Sequence, residues 1–226
     1  MRRPRVWWRG RESALRALPA PLRLAEMLPG GGAWEIELGF GKGRYLLGRA
    51  ASAPQGRFVG VEVASRYYRL ARDRARKREL ANLALVHGEA VYLMATTLGA
   101  GWAHAVHVYF PDPWPKDRHH KRRLFDPETV DLVLALLVPG GRLSFATDHL
   151  EYGGLVRDLL GAHPEVDLEV VDGPWPGGPR TNYEAKFVAA GRPVVRLVAG
   201  RRADGRGELL HPAGRSAVLA APRPGS

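Results

Sequence analysis

The sequence contains no cysteine, which excludes disulfides, thiolate metal sites and cysteine nucleophiles. It also lacks a long apolar run. The longest strongly hydrophobic stretch, Leu132 to Val138, is far too short to span a bilayer. Arg2, Arg3 and Arg5 stand at the start, but no apolar segment follows them, so a secretory leader is not expected. Asn is confined to Asn82 and Asn182 and Gln to Gln55, a scarcity that suits either a thermophile or a GC-rich genome. Acidic residues are the minority charge, 23 against 34 Lys and Arg, for a formal net charge of +11. That excess points to a polyanion. With no membrane span in view, a nucleic acid in the cytoplasm is the expected partner, and no membrane.

The 226 residues suffice for one generous α/β domain with flanking segments. Short strands are expected at Ala33 to Leu38, Arg57 to Glu62, Leu83 to His87, Ala103 to Phe110, Gly141 to Ala146 and Leu168 to Val171, with a last one at Val194 to Ala199. Helical stretches alternate with them. One runs to about Ala53, and a strongly basic one covers Ser65 to Glu79 with Ser65 as N-cap. Another starts at Asp126-Pro127, an N-cap followed by a proline at the first helical position, and a fourth covers His149 to Ala162. This alternation predicts an α/β fold, a doubly wound and mostly parallel Rossmann-like sheet with ligands at the carboxyl ends of its strands. Three segments are expected: a basic N-terminal arm with a first helix (1–32), the sheet domain (33–199), and a Gly-, Pro- and Arg-rich tail (200–226). Residues 1–16 carry six arginines and the pair Trp7-Trp8, for which stacking on bases and packing on a sheet edge are both open.

The first strand ends in Gly39-Phe40-Gly41-Lys42-Gly43. A glycine-rich turn there lets the backbone approach a nucleotide cofactor, though glycines at strand ends are often simply turns. The spacing is not that of a dinucleotide fingerprint, because Arg44 occupies the place of its third glycine. Carboxylates follow the strands instead: Glu37 before the turn, Glu62, Glu89 and Asp112. Such a ring would repel a pyrophosphate. It suits S-adenosyl-L-methionine, which carries a sulfonium, an ammonium and a ribose diol, with Glu62 as the ribose ligand. Glu89 is read either as a ligand of the adenine edge or as an exposed loop acid.

After the fourth strand comes Tyr109-Phe110-Pro111-Asp112-Pro113-Trp114-Pro115-Lys116-Asp117-Arg118-His119-His120-Lys121-Arg122-Arg123. Prolines stiffen the loop and hold an acid and an aromatic at a strand end. Five basic residues within eight positions suit phosphate neutralisation or a solvated loop. A metal site at His119 and His120 is not expected, since no third ligand stands nearby.

This segment resembles the signature of the bacterial tRNA (guanine-N7)-methyltransferases, close to F-P-D-P-W-x-K-x-R-H-x-K-R-R, and the likeness extends over roughly Glu35 to Ala199. Glu35 to Gly41 looks like that family's first cofactor motif, Ala146-Thr147-Asp148 like its substrate-binding strand end, and Thr181-Asn182-Tyr183-Glu184 like its late T-[KR]-[FY]-E motif. The resemblance implies a class I methyltransferase fold. The reaction implied is methyl transfer from S-adenosyl-L-methionine to N7 of guanine 46 in the tRNA variable loop, with no obligatory protein partner. It further implies that Glu37, Gly39, Gly41, Glu62, Glu89 and Asp112 contact the cofactor, with Asp112 at the catalytic centre. Lys116, Asp148, Thr181, Asn182, Tyr183 and Glu184 would contact the substrate, and Arg118, His119, His120, Lys121, Arg122 and Arg123 the RNA. The chain departs from the pattern twice: Glu89 stands where the family usually has Asp, and Asn182 where it usually has Lys or Arg. The basic helix with Arg66, Arg69, Arg72, Arg74, Arg76, Lys77 and Arg78 is either a solvent-facing surface or further RNA contact.

Overall fold

The structure is a computed structural model that describes residues 5–18, 20–113 and 123–204. The expected strands β3 (Trp34–Leu38), β4 (Arg57–Glu62), β5 (Leu83–His87), β6 (Ala103–Tyr109) and β7 (Leu137–Thr147) form a parallel centre in the order β5-β4-β3-β6-β7. Their near-continuous apolar runs reflect burial on both faces. Ile36 and Leu38 of β3 join Val106 and Val108 of β6 in the main core. The opposite face packs Leu46 and Leu47 of α2 (Arg44–Ser52) and Tyr68, Ala71 and Ala75 of α3 (Ser65–Lys77) around Phe58 and Leu85.

Beyond this centre the sheet turns antiparallel. β8 (Val166–Val170) and β9 (Val195–Arg201) complete one side, β9 pairing antiparallel with both β7 and β8. On the other side β1 (Arg5–Trp8) and β2 (Arg11–Ala14) form a hairpin, and β1 adds antiparallel to β5. This hairpin was not expected. Its two-residue turn, Arg9-Gly10, has both φ values positive (45° and 76°), the geometry that matches strand twist. Packing on the sheet edge therefore accounts for Trp7, which is 3 % exposed in the α3-side core. Glu12 fastens the hairpin to α3, accepting from the Tyr68 hydroxyl at 2.9 Å and pairing with Arg72. The first helix shrinks to one turn, α1 (Leu24–Met27).

Helix starts differ in one detail. Ala64, not Ser65, is the N-cap of α3, and the Ser65 hydroxyl instead lies 3.0 Å from His87 Nε2. The Asp126 cap of α5 (Pro127–Leu136) forms as expected, with Thr129 closing a reciprocal capping box. α6 (Leu150–Gly161) follows His149 as N-cap. Two further helices had no sequence expectation: α4 (Ala90–Thr96) and α7 (Asn182–Ala189). Among the described residues no helix is long and apolar enough to cross a membrane.

Candidate active site

The strand order reverses on either side of β3, which opens a crevice at the carboxyl ends of β3, β4 and β6. The glycine turn folds over that crevice. Gly39 donates to the Val61 carbonyl at 2.8 Å, and Gly39 and Gly41 hold positive φ values of 75° and 53°. A Cβ at either would meet nothing within 4 Å, so the turn presents bare backbone to open space.

Glu62 ends β4 beneath this turn, 6 % exposed. One oxygen accepts from the Gly41 N–H at 2.8 Å and the other from the Ala64 N–H at 2.7 Å. Burial pushes its carboxyl up, the backbone N–H groups oppose this, and the charge of Asp112 adds to the rise. Glu62 and the exposed Asp112 thus act on one another across the crevice. Two facing acids, one of them desolvated, favour a cationic or hydrogen-donating ligand between them.

The remaining cofactor candidates sit differently. Glu37 is 2 % exposed and lies under the turn, accepting from the Leu46 N–H at 3.1 Å. The N-cap of α2 is Gly43, which has no side chain to cap with, and Glu37 supplies the missing acceptor. Burial pushes its carboxyl up to about 8. Glu89 is exposed and is the N-cap of α4, its two oxygens accepting from Val91 and Tyr92 N–H at 3.0 and 2.7 Å.

At the end of β6, Phe110 holds a φ of 52°, a strained value for a bulky residue, and its N–H donates to the Ala146 carbonyl at 2.7 Å. Its ring lies 5.7 Å from Phe187 and 6.5 Å from Tyr183, which brings α7 against the Asp112 loop. Tyr183 is 53 % exposed beside the crevice, its phenol pushed up first by the neighbouring Tyr67 hydroxyl and also by the Asp112 charge. The Asn182 side-chain amide oxygen accepts from Arg44 at 3.3 Å, linking the late motif to the glycine turn. An amide can accept from that guanidinium, whereas a Lys or Arg at 182 would repel it.

The other two late-motif residues serve the scaffold. Thr181 caps α7, accepting from the Glu184 N–H at 3.0 Å. Glu184 is fully buried. It accepts from the Arg180 N–H at 2.8 Å and pairs with Arg196 of β9 at 2.8 Å. Asp148, at the end of β7, is paired with Arg192 at 2.9 Å. Arg123 was expected on the RNA and instead turns inward. It donates to the Pro113 carbonyl at 2.7 Å, pairs with Glu151 at 3.1 Å and stacks on Tyr152, so its guanidinium is 4 % exposed. Lys116, Arg118, His119, His120, Lys121 and Arg122 lie outside the described residues. Tyr67, Phe110 and Arg44 belong to the crevice and were not among the expected site residues. Arg44, standing in the place of a third glycine, and Phe110, in the proline-rich motif, had drawn attention in the sequence without being assigned a site role; Tyr67 had not.

Comparison with known proteins agrees with this architecture. The family model Methyltransf_4, described as "Putative methyltransferase", matches residues 33–197. The tRNA (guanine-N(7)-)-methyltransferase of Alkalilimnicola ehrlichii is 38 % identical over 172 residues, covering 74 % of this chain and 72 % of the relative. The protein of the same name from Nitrosococcus oceani is 35 % identical over 184 residues, covering 81 % and 78 %. Among solved structures, the 16S rRNA (adenine(1408)-N(1))-methyltransferase of Catenulisporales acidiphilia superposes with a TM-score of 0.62 at 19 % identity, covering 90 % of this chain and 99 % of that one. The antibiotic-resistance methyltransferase Kmr gives 0.57 at 18 %, covering 87 % and 99 %. At those identities the structures speak for the fold, a Rossmann-like sheet of the class I methyltransferase type, while the relatives speak for the family. On the sequence relatives and the family model, the chain belongs to the tRNA (guanine-N(7)-)-methyltransferase family.

Proposed function

We propose that this protein transfers a methyl group from S-adenosyl-L-methionine to N7 of a guanine in tRNA, at guanine 46 of the variable loop, acting in the cytoplasm without an obligatory protein partner. The observation that carries this reading is an open glycine turn held by Glu62 at the strand-order reversal, with the Asp112 loop tied to Tyr183 through the Phe110 ring. The methyltransferase unit extends beyond the expected 33–199, because β1 and β2 of the N-terminal segment (1–32) and the end of β9 at Arg201 belong to the same sheet.

The donor set fits this cofactor. Bare backbone at Gly39 and Gly41 leaves room for it, and the acids Glu62 and Asp112 suit a cation and a ribose diol. When bound, the cofactor supplies a methyl group activated by a sulfonium. Glu62 retains acceptor capacity for the ribose, since each carboxylate oxygen carries a second lone pair. Glu89 sits at the adenine side, and Glu37 acts from beneath by setting the first turn of α2.

Guanine N7 carries an in-plane lone pair and no proton, so the reaction needs no general base. What the protein must supply is alignment and tolerance of positive charge on the purine. Asp112 accepts from the N1–H and amino edge of the base and stabilises the cationic product. Tyr183 offers an exposed ring for stacking, with Asn182 and Asp148 at the rim. Thr181 and Glu184 act through the fold that holds Tyr183 in place. Lys116 and Arg118 to Arg122 neutralise RNA phosphates. Recognition by shape and phosphates makes tRNA affinity steeply salt-dependent.

The test is to incubate the protein with unmodified tRNA transcripts and S-adenosyl-L-methionine, then digest and separate nucleosides by mass spectrometry. 7-Methylguanosine mapping to the variable loop is the expected result. A different methylated nucleoside, or none, overturns it.

A further inference from the structure

A second cavity, of about 500 Å³, lies on the α2 face of the sheet; it shares Arg44 with the rim of the crevice but none of the glycine turn, Glu62 or Asp112. Its floor is Glu35 of β3 and His107 of β6, one wall is Arg44, Tyr45 and Arg49 of α2, and the other is the segment 176–180 ending in Arg180. Three guanidinium groups therefore face one carboxylate. That carboxylate is already engaged: Glu35 accepts from Arg49 through both oxygens and from His107 at 3.1 Å. Burial pushes the Glu35 carboxyl up, but the hydrogen bonds from His107 and Arg49 outweigh it and hold it at about 2, ionised. Burial pushes the His107 imidazole down, against the pull of the Glu35 carboxylate.

Arg180 lies 3.9 Å over the Trp175 ring and donates to the Tyr109 hydroxyl. Among the described residues Arg44 donates to the Asn182 amide oxygen alone. No carboxylate among the described residues pairs with either side chain. A half-buried guanidinium held between rings without a counter-charge is electrostatically incomplete, and its planar fork suits a tetrahedral oxyanion. Gly177, Gly178 and Gly48 carry no side chain into the space: a Cβ at any of them would meet nothing within 4 Å.

We infer that this cavity is a phosphate-binding site, taking either a phosphodiester of the RNA strand or the phosphate of a free nucleotide. The RNA source rests on the proposed tRNA substrate; the free-nucleotide source does not.

The experiment uses the full chain and two variants, Arg180→Ala and Gly48→Glu. The second places a carboxylate on the α2 wall, at an exposed helical position where it meets nothing. Inorganic phosphate and guanosine monophosphate are titrated by calorimetry, and tRNA by filter binding across a salt series. For a phosphodiester, both variants weaken tRNA binding about 5- to 10-fold and flatten the log–log salt slope by about one, with S-adenosyl-L-methionine affinity retained. For a free nucleotide, both variants lose phosphate and guanosine monophosphate binding while tRNA affinity holds. The site is overturned if the wild type binds neither small anion and both variants keep wild-type tRNA affinity and slope. Should Arg180→Ala lose cofactor binding through misfolding, Gly48→Glu decides alone. Failure of the methylation reading shows separately, as tRNA that is bound and not methylated.

Discussion

Glu62 and Glu184 are both buried glutamates in motifs that the sequence singles out, yet they are used in different ways. Glu62 is held by two backbone N–H groups at a crevice, opposite a second acid, with no cation paired to it among the described residues. Glu184 is sealed against Arg196, and its other oxygen closes the entry to α7. The glycine-turn region opens onto the crevice, whereas the late motif spends half of its residues on the scaffold. Helical geometry explains the division inside Thr181 to Glu184. Residues three apart lie on one face, so Thr181 and Glu184 turn inward together while Asn182 and Tyr183 point to the crevice.

The largest effect expected from this contrast is on stability. Glu184→Ala leaves Arg196 buried and unpaired and should cost about 3–5 kcal/mol, read as a large drop in Tm. An unchanged Tm with a raised KM for tRNA would instead make Glu184 part of the contact surface. Asp112→Ala is the opposite case. Turnover with labelled cofactor should fall about 10²- to 10³-fold, far more than cofactor affinity, while Tm holds, and equal turnover breaks the assignment.

Glu37 sharpens the comparison through pH. Folding raises its pKa from the ordinary 4.5 to about 8, so the folded state retains a proton that the unfolded chain releases. That stabilisation is complete below about pH 4.5 and is lost as pH rises through about 8. Between pH 5 and 9 the wild-type Tm should therefore fall by roughly 5 °C more than that of Glu37→Gln. Parallel pH profiles would show the proton to be absent. The smallest effect is Thr181→Ala, about 1 kcal/mol of stability from the lost α7 cap, with KM for the cofactor unchanged.

Much of the fold was legible because buried parallel strands carry unbroken apolar runs, and because Asp126-Pro127 is a helix start in any context. The parts that were missed have local causes. The Arg9-Gly10 turn follows the β-prone Val6, Trp7 and Trp8 but precedes Arg11-Glu12-Ser13-Ala14, which is not β-prone, so whether the hairpin forms depends on β5 offering a free edge. Helices α4 and α7, of seven and eight residues, are too short for a clear period and are held by their caps and packing.

For the site, residue types alone specified the glycine turn, the ring of acids after the strands and the basic loop, because those properties are carried by single residues and their spacing. Which acids face a ligand was settled only in three dimensions. Glu37 went under the turn because Gly43 cannot cap α2, Arg123 went inward because Pro113, Glu151 and Tyr152 surround it, and Glu184 met Arg196 because β9 runs antiparallel beside β7. The cavity between α2 and 176–180 depends likewise on elements far apart in the chain, and no local pattern could announce it. Spacing along a chain sets what a residue can do, and tertiary packing, by deciding which polar atoms are already satisfied, sets what remains for it to do.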